Sequence, residues 1–93
     1  RKKSRTYGKS ISIELSGENN RSIYIPKGCA HGFKSLENDT ITVYNVATVY
    51  NNESDFGILY NSFDCKWDIE NPILPERDLK FITFEQFKKK NPF

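Results

Sequence analysis

"TITVYNVATVY", residues 40–50, is the run on which the fold reading turns. It is dense in Val, Ile, Thr and Tyr, the β-branched and aromatic types that suit a pleated, half-buried surface. Read as a strand, its side chains alternate between two faces. Thr42, Tyr44, Val46, Thr48 and Tyr50 then share one side, and Ile41, Val43, Asn45, Ala47 and Val49 the other. The first side carries two phenols and two hydroxyls. Such a face fits the wall of a ligand cavity. It equally fits ordinary strand tyrosines with their hydroxyls in water.

Similar signals lie on both sides of this run. "SISIEL" (10–15) alternates strictly, with Ile11, Ile13 and Leu15 on one face. "SIYIP" (22–26) reads as a strand closed by Pro26, which cannot donate to a ladder. "HGFKSL" (31–36) and "FGILYNSF" (56–63) read as further strands. Between them stand turn formers: "SGENNR", "KGC", "ENDT" and "NNES". Residues 71–78, with two prolines, predict an extended loop. "TFEQFKKK" (83–90) predicts a short helix, with Thr83 as N-cap and Phe84 and Phe87 on one face. Short strands at regular spacing predict an all-β sandwich, jelly roll or small barrel. The length allows one domain, with no internal repeat or linker.

Composition narrows the partners. Fourteen Lys and Arg against twelve Asp and Glu leave a net charge of +2. That is too balanced for the clustered basic stripe of a nucleic-acid binder. The basic runs "RKKSR" and "KKK" sit near the two ends and read as solvated termini. No apolar stretch has membrane-span length, and no signal peptide is visible. Cys29 and Cys65 read as free, buried thiols in a reducing compartment, although spacing alone does not decide against a disulfide. The chain has no Met, which raises the expectation of a piece of a longer polypeptide.

"IPKGCAHGF" (25–33) holds the one histidine, His31, between Gly28 and Gly32. A lone imidazole is a poor metal site, because zinc takes three or four ligands. The residue types leave a hydrogen-bonded structural histidine and a ligand or proton-transfer role both open. The two glycines permit a positive φ or a close backbone approach, as a turn or a pocket rim requires.

"IYIPKGCAHGF", then "TVYNVATVY", then "LPERD", together with the lead-in from residue 1, resemble the dTDP-4-dehydrorhamnose 3,5-epimerase family. The resemblance covers nearly the whole chain but only the C-terminal half of a typical family member. It implies a cupin-type jelly roll, here partial, with residues 1–93 as the later portion of a single sugar-nucleotide epimerase domain. It implies a nucleotide-linked keto sugar as substrate, no cofactor, a cytoplasmic location and a homodimer. His31 matches a substrate-contacting histidine, and Tyr44 matches the tyrosine taken as general acid. Tyr50 matches an aromatic that stacks on the thymine ring. Asp55 falls near an acidic residue close to the nucleotide. Asp78 matches the aspartate that orients the catalytic histidine.

These residue types suit the chemistry. A ketone at C4 acidifies the hydrogens on C3 and C5. A base removes one, an enolate forms, and an acid returns a proton from the opposite face. Tyrosine is protonated at neutral pH and serves as such an acid.

The chain also departs from the family pattern. The base histidine of an "RGLH"-type motif has no counterpart here, nor do the family's upstream arginine and lysine. Asp68 stands where the family usually has proline, and Pro75 replaces a usual serine. The expectation is therefore a 3,5-epimerase whose 93-residue piece is inactive and poorly soluble alone, since a sheet cut midway exposes its edges. A one-centre epimerase, a ketoisomerase or a non-catalytic sugar-binding cupin module are the alternatives.

Overall fold

The computed structural model describes residues 1–93. Its regular elements are two short helices, α1 (Glu76–Leu79) and α2 (Phe84–Lys90). A single parallel bridge pairs Ile58 with Ile82. No strand and no sheet form.

The all-β expectation, whether cupin-type jelly roll or β-sandwich, is therefore overturned. Residues 10–15, 22–26, 31–36 and 40–50 are irregular and carry no ladder. Between residues 10 and 50 only two backbone–backbone hydrogen bonds form, Asn20 N–H to Ser16 O and Cys29 N–H to Pro26 O, and both close turns. The whole chain has 18 such bonds, where a folded domain of this length carries about 60. The physical reason is that alternation specifies a surface for pairing but supplies no partner. A strand becomes stable only against a second edge and an apolar layer. Ile11, Ile41, Val43 and Val49 remain exposed instead.

Two overall dimensions agree. The accessible surface is 9101 Å², against about 5,500 Å² for a compact protein of this mass. The radius of gyration is 14.4 Å, against about 12 Å for a compact domain. No apolar side chain is fully buried, and Asn91 is the one buried residue. Its amide donates to the Tyr7 hydroxyl (3.2 Å) and its oxygen accepts from Phe93 N–H (2.8 Å).

The local turns form where the turn residues stand. Ser16 and Asn19 exchange side-chain-to-backbone hydrogen bonds, each 3.1 Å. Asn20 (φ 51°) and Asp39 (φ 58°) take the left-handed conformation that Asn and Asp tolerate. The Asn51 side chain accepts from Glu53 and Ser54 N–H. Asp68 also has φ 50°, a value closed to the fixed φ of proline.

Most of the packing lies in the C-terminal third. Helix α2 begins at Thr83, whose hydroxyl accepts from Gln86 N–H (3.2 Å) while the Gln86 side chain accepts from Thr83 N–H (2.9 Å). This reciprocal box satisfies two donors that a helix start leaves orphaned. Ser62 Oγ accepts from Phe84 N–H (2.9 Å) and meets a third. Phe84 and Phe87 stack with centroids 6.4 Å apart. Tyr7 packs on Phe84 and Phe56 on Phe87. Trp67 donates its indole N–H to Tyr60 O (2.8 Å).

Two expectations change here. Residues 76–78 of the expected loop close, with Leu79, into α1, where Pro75 O accepts from Asp78 N–H (2.9 Å). The cysteines are free, as expected, but not buried: Cys29 is exposed and Cys65 half-buried.

Candidate active site

Tyr44, Val46, Thr48 and Tyr50 line one open recess of about 480 Å³, together with Ser54 and Asp55. Four even-numbered side chains of the 40–50 run, from Tyr44 to Tyr50, therefore share a wall without being in a sheet, while Thr42 is not part of it. A bend at Ala47–Thr48 accompanies Val49, from the opposite set, joining them. Tyr44 is 74% exposed and Tyr50 66%. Tyr50 donates its hydroxyl proton to Asn52 Oδ1 (3.0 Å). That bond fixes the ring at the mouth of the turn formed by residues 51–54.

Asp55 connects this recess to α1. Arg77 Nη1 donates to Asp55 Oδ2 at 2.5 Å, and Arg77 Nε donates to Asp78 Oδ1 at 3.4 Å. The guanidinium carbon also lies 5.3 Å from the centroid of the Phe81 ring. The hydrogen bond Arg77 donates to Asp55, then the Asp55 charge, raise the guanidinium pKa above its ordinary value, with smaller help from Asp78. Two carboxylates on one planar fork suit arginine, whose donors are fixed in direction.

His31 is not among the residues lining this recess, although it shares a wider open cleft with Tyr44, Tyr50, Asp55 and Asp78. It follows the turn closed by Cys29 N–H on Pro26 O (3.3 Å). It is exposed and borders the wide open cleft beneath residues 10–50. No hydrogen bond or ion pair joins it to Tyr44, Asp55 or Asp78. Gly28 has φ 92°, and a Cβ there would meet the Arg1 side chain at 2.7 Å. Glycine is required at that position. Gly32 is different: a Cβ there would make ordinary contact with Trp67 at 3.6 Å. No three His, Cys, Asp or Glu side chains gather as a metal site.

The structure thus brings Tyr44, Tyr50 and Asp55 together, links Asp55 to Asp78 through Arg77, and leaves His31 without a bond to any of them. Arg77 is the residue that sequence reasoning missed. Its place in "PERD" beside Asp78 was visible. Its other partner, 22 residues upstream across several turns, was not.

Comparison with known proteins gives a consistent answer. The sequence profile of the family described as dTDP-4-dehydrorhamnose 3,5-epimerase matches residues 1–86. A protein of that name from Shigella flexneri is 37% identical over 92 residues, covering 94% of this chain and 51% of the relative. One from Methanothermobacter thermautotrophicus is 37% identical over 83 residues, covering 84% and 45%. One from Sinorhizobium fredii is 44% identical over 63 residues, covering 68% and 29%. The chain spans about half the length of the first of these relatives, and less of the other two. No solved structure matches it. No helix is long and apolar enough to cross a membrane.

Proposed function

We propose a function from one premise: this chain belongs to the dTDP-4-dehydrorhamnose 3,5-epimerase family. Its residues form the later portion of an epimerase domain carried by a longer polypeptide. That polypeptide inverts C3 and C5 of a dTDP-linked 4-keto-6-deoxyhexose, in the synthesis of a deoxysugar. The intact protein is a homodimer of the cytoplasm, a compartment in which the unpaired Cys29 and Cys65 stay reduced. The 93-residue piece is inactive alone, because it carries no second histidine to act as base.

The observation that carries this reading is the recess shared by Tyr44, Tyr50 and Asp55. Tyr50 offers a flat ring on which a nucleobase stacks. Asp55 supplies an acceptor at the rim. Tyr44 stands on the same wall and offers a phenol as proton donor. A base from the rest of the polypeptide takes the proton on C3 or C5, and electron density moves onto the C4 oxygen as an enolate. Tyr44 returns a proton to the carbon from the other face. Asp78 accepts a hydrogen bond from the base imidazole, fixing its tautomer and stabilising its charged form. His31 binds the substrate rather than removing its proton.

Conversion of dTDP-4-keto-6-deoxyglucose by the longer polypeptide, followed by proton NMR, tests these roles. Tyr44→Phe lowers turnover by about 100-fold or more while dTDP still binds, if Tyr44 is the acid. Turnover unchanged in Tyr44→Phe would remove it from that role.

A further inference from the structure

We infer that the basic run at residues 1–5 and the last turn of α2 form one cationic face that seats on an anionic lipid surface.

The small net charge of +2 hides a steep separation. Eight of the fourteen Lys and Arg fall in residues 1–9 and 88–93, which hold no Asp or Glu. The other six stand among all twelve acidic residues. The two basic runs are far apart in sequence, and the structure closes that gap. Lys2 N–H donates to Phe93 O (3.4 Å), and the Arg1 guanidinium carbon lies 4.9 Å from the centroid of the Phe93 ring. The Asn91 amide donates to the Tyr7 hydroxyl (3.2 Å), and Tyr7 packs on Phe84 of α2. Residues 1–5 are thus fastened beside Lys88, Lys89 and Lys90, and all the cations of both runs are exposed. Lys88 pairs with Glu85, and no other cation of the face has an acidic partner.

The chemistry of the face selects its partner. Most of its charge is Lys, a point charge on a flexible stem, which suits a diffuse negative surface better than a forked phosphate or carboxylate. Its exposed aromatic, Phe93, has one ring face taken by Arg1. That makes it a poor platform for stacked bases, which single-stranded nucleic acid requires. A half-exposed ring among lysines is the combination used at headgroup depth, and clusters of about four to eight Lys and Arg are drawn to anionic leaflets. The acidic excess of residues 10–87 is repelled by the same surface, which favours one orientation. No helix is long and apolar enough to cross a membrane, so the protein lies on the surface.

The test uses the longer polypeptide with vesicles of phosphatidylglycerol in phosphatidylcholine, and of phosphatidylcholine alone, read by co-sedimentation. Binding to the anionic vesicles exceeds binding to the neutral ones by at least about tenfold. It is lost at about 1 M salt, where the Debye length is about 3 Å. Lys2→Gln/Lys3→Gln weakens it roughly 20-fold, and Lys88→Gln/Lys89→Gln/Lys90→Gln roughly 100-fold. Lys66→Gln/Lys80→Gln removes two cations outside the face and changes it less than about threefold. Equal binding to both vesicles would overturn the inference. So would an equal loss in the Lys66/Lys80 variant, which would make net charge rather than the face responsible. Loss on neutralising one run but not the other would also overturn it, because the face needs both. Tighter binding to a single-stranded oligonucleotide than to the anionic vesicles would replace the lipid partner and end the proposal. Circular dichroism checks each variant. If the triple variant fails to fold, the Lys2/Lys3 variant, which lies outside any helix, decides.

Discussion

Residues 10–50 and residues 56–93 of the same chain behave oppositely. The first region is the richer in β-branched residues, yet two turn-closing hydrogen bonds are all its backbone makes with itself. The second is shorter, holds both helices and the bridge, and contains most of the half-buried side chains. The difference lies in the range of the interactions each sequence encodes. A capping box, an i to i+3 turn and a stacked Phe84–Phe87 pair are complete within a few residues. A strand is complete only with a partner, often one distant in the chain, and its loop-closure cost must be met before pairing is rewarded. The first region is held to the second by a few side chains: Ser10 donates to Asp64 O, and Lys34 to Trp67 O.

Amide hydrogen exchange is the strongest way to break this contrast. Amides of residues 41–49 exchange within about tenfold of the unprotected rate, while those of Leu59 and Phe87 are protected at least about 100-fold. Equal protection in both regions would end the comparison. The next largest effect is at Gly57, where a Cβ would lie 2.5–2.9 Å from three atoms of the Phe81 ring. Gly57→Ala forces that ring aside and costs about 1–3 kcal/mol in urea unfolding. No loss there would mean that the ring is not packed. Thr83→Ala removes the N-cap acceptor of α2 and costs about 1 kcal/mol, read as lost helical circular dichroism and a lower midpoint. The smallest effect belongs to Lys80→Ala. Its pair with Glu76, one turn away at 2.5 Å, is open to solvent, so the change stays within about 0.5 kcal/mol.

The same distinction of range governs what was legible in the sequence. Thr83, Gln86 and the paired phenylalanines announce α2 because each signal sits within one helical turn of its partner. "SGENN" and "NNES" announce turns for the same reason. Ile11, Ile13 and Leu15 announce a face but not what covers it, and all three stay exposed. In the candidate site, the even spacing of Tyr44 and Tyr50 was enough to put both on one wall. Their link to Asp78 was not legible, since it runs through Arg77, and an arginine in "PERD" gives no hint of a carboxylate 22 residues away. Alternation held only in part over the recess: Tyr44, Val46, Thr48 and Tyr50 line it, but Val49 joins them and Thr42 does not. The bend at Ala47–Thr48 is where the strict two-residue period breaks.

Solvent-deuterium incorporation tests the central claim most directly. The longer polypeptide is incubated with dTDP-4-keto-6-deoxyglucose in D₂O, with the 93-residue chain alongside, and C3 and C5 are read by NMR. Exchange at both carbons with the longer polypeptide, and at neither with the 93-residue chain, is the predicted result. A folded longer polypeptide that binds dTDP yet leaves both carbons unexchanged would contradict it.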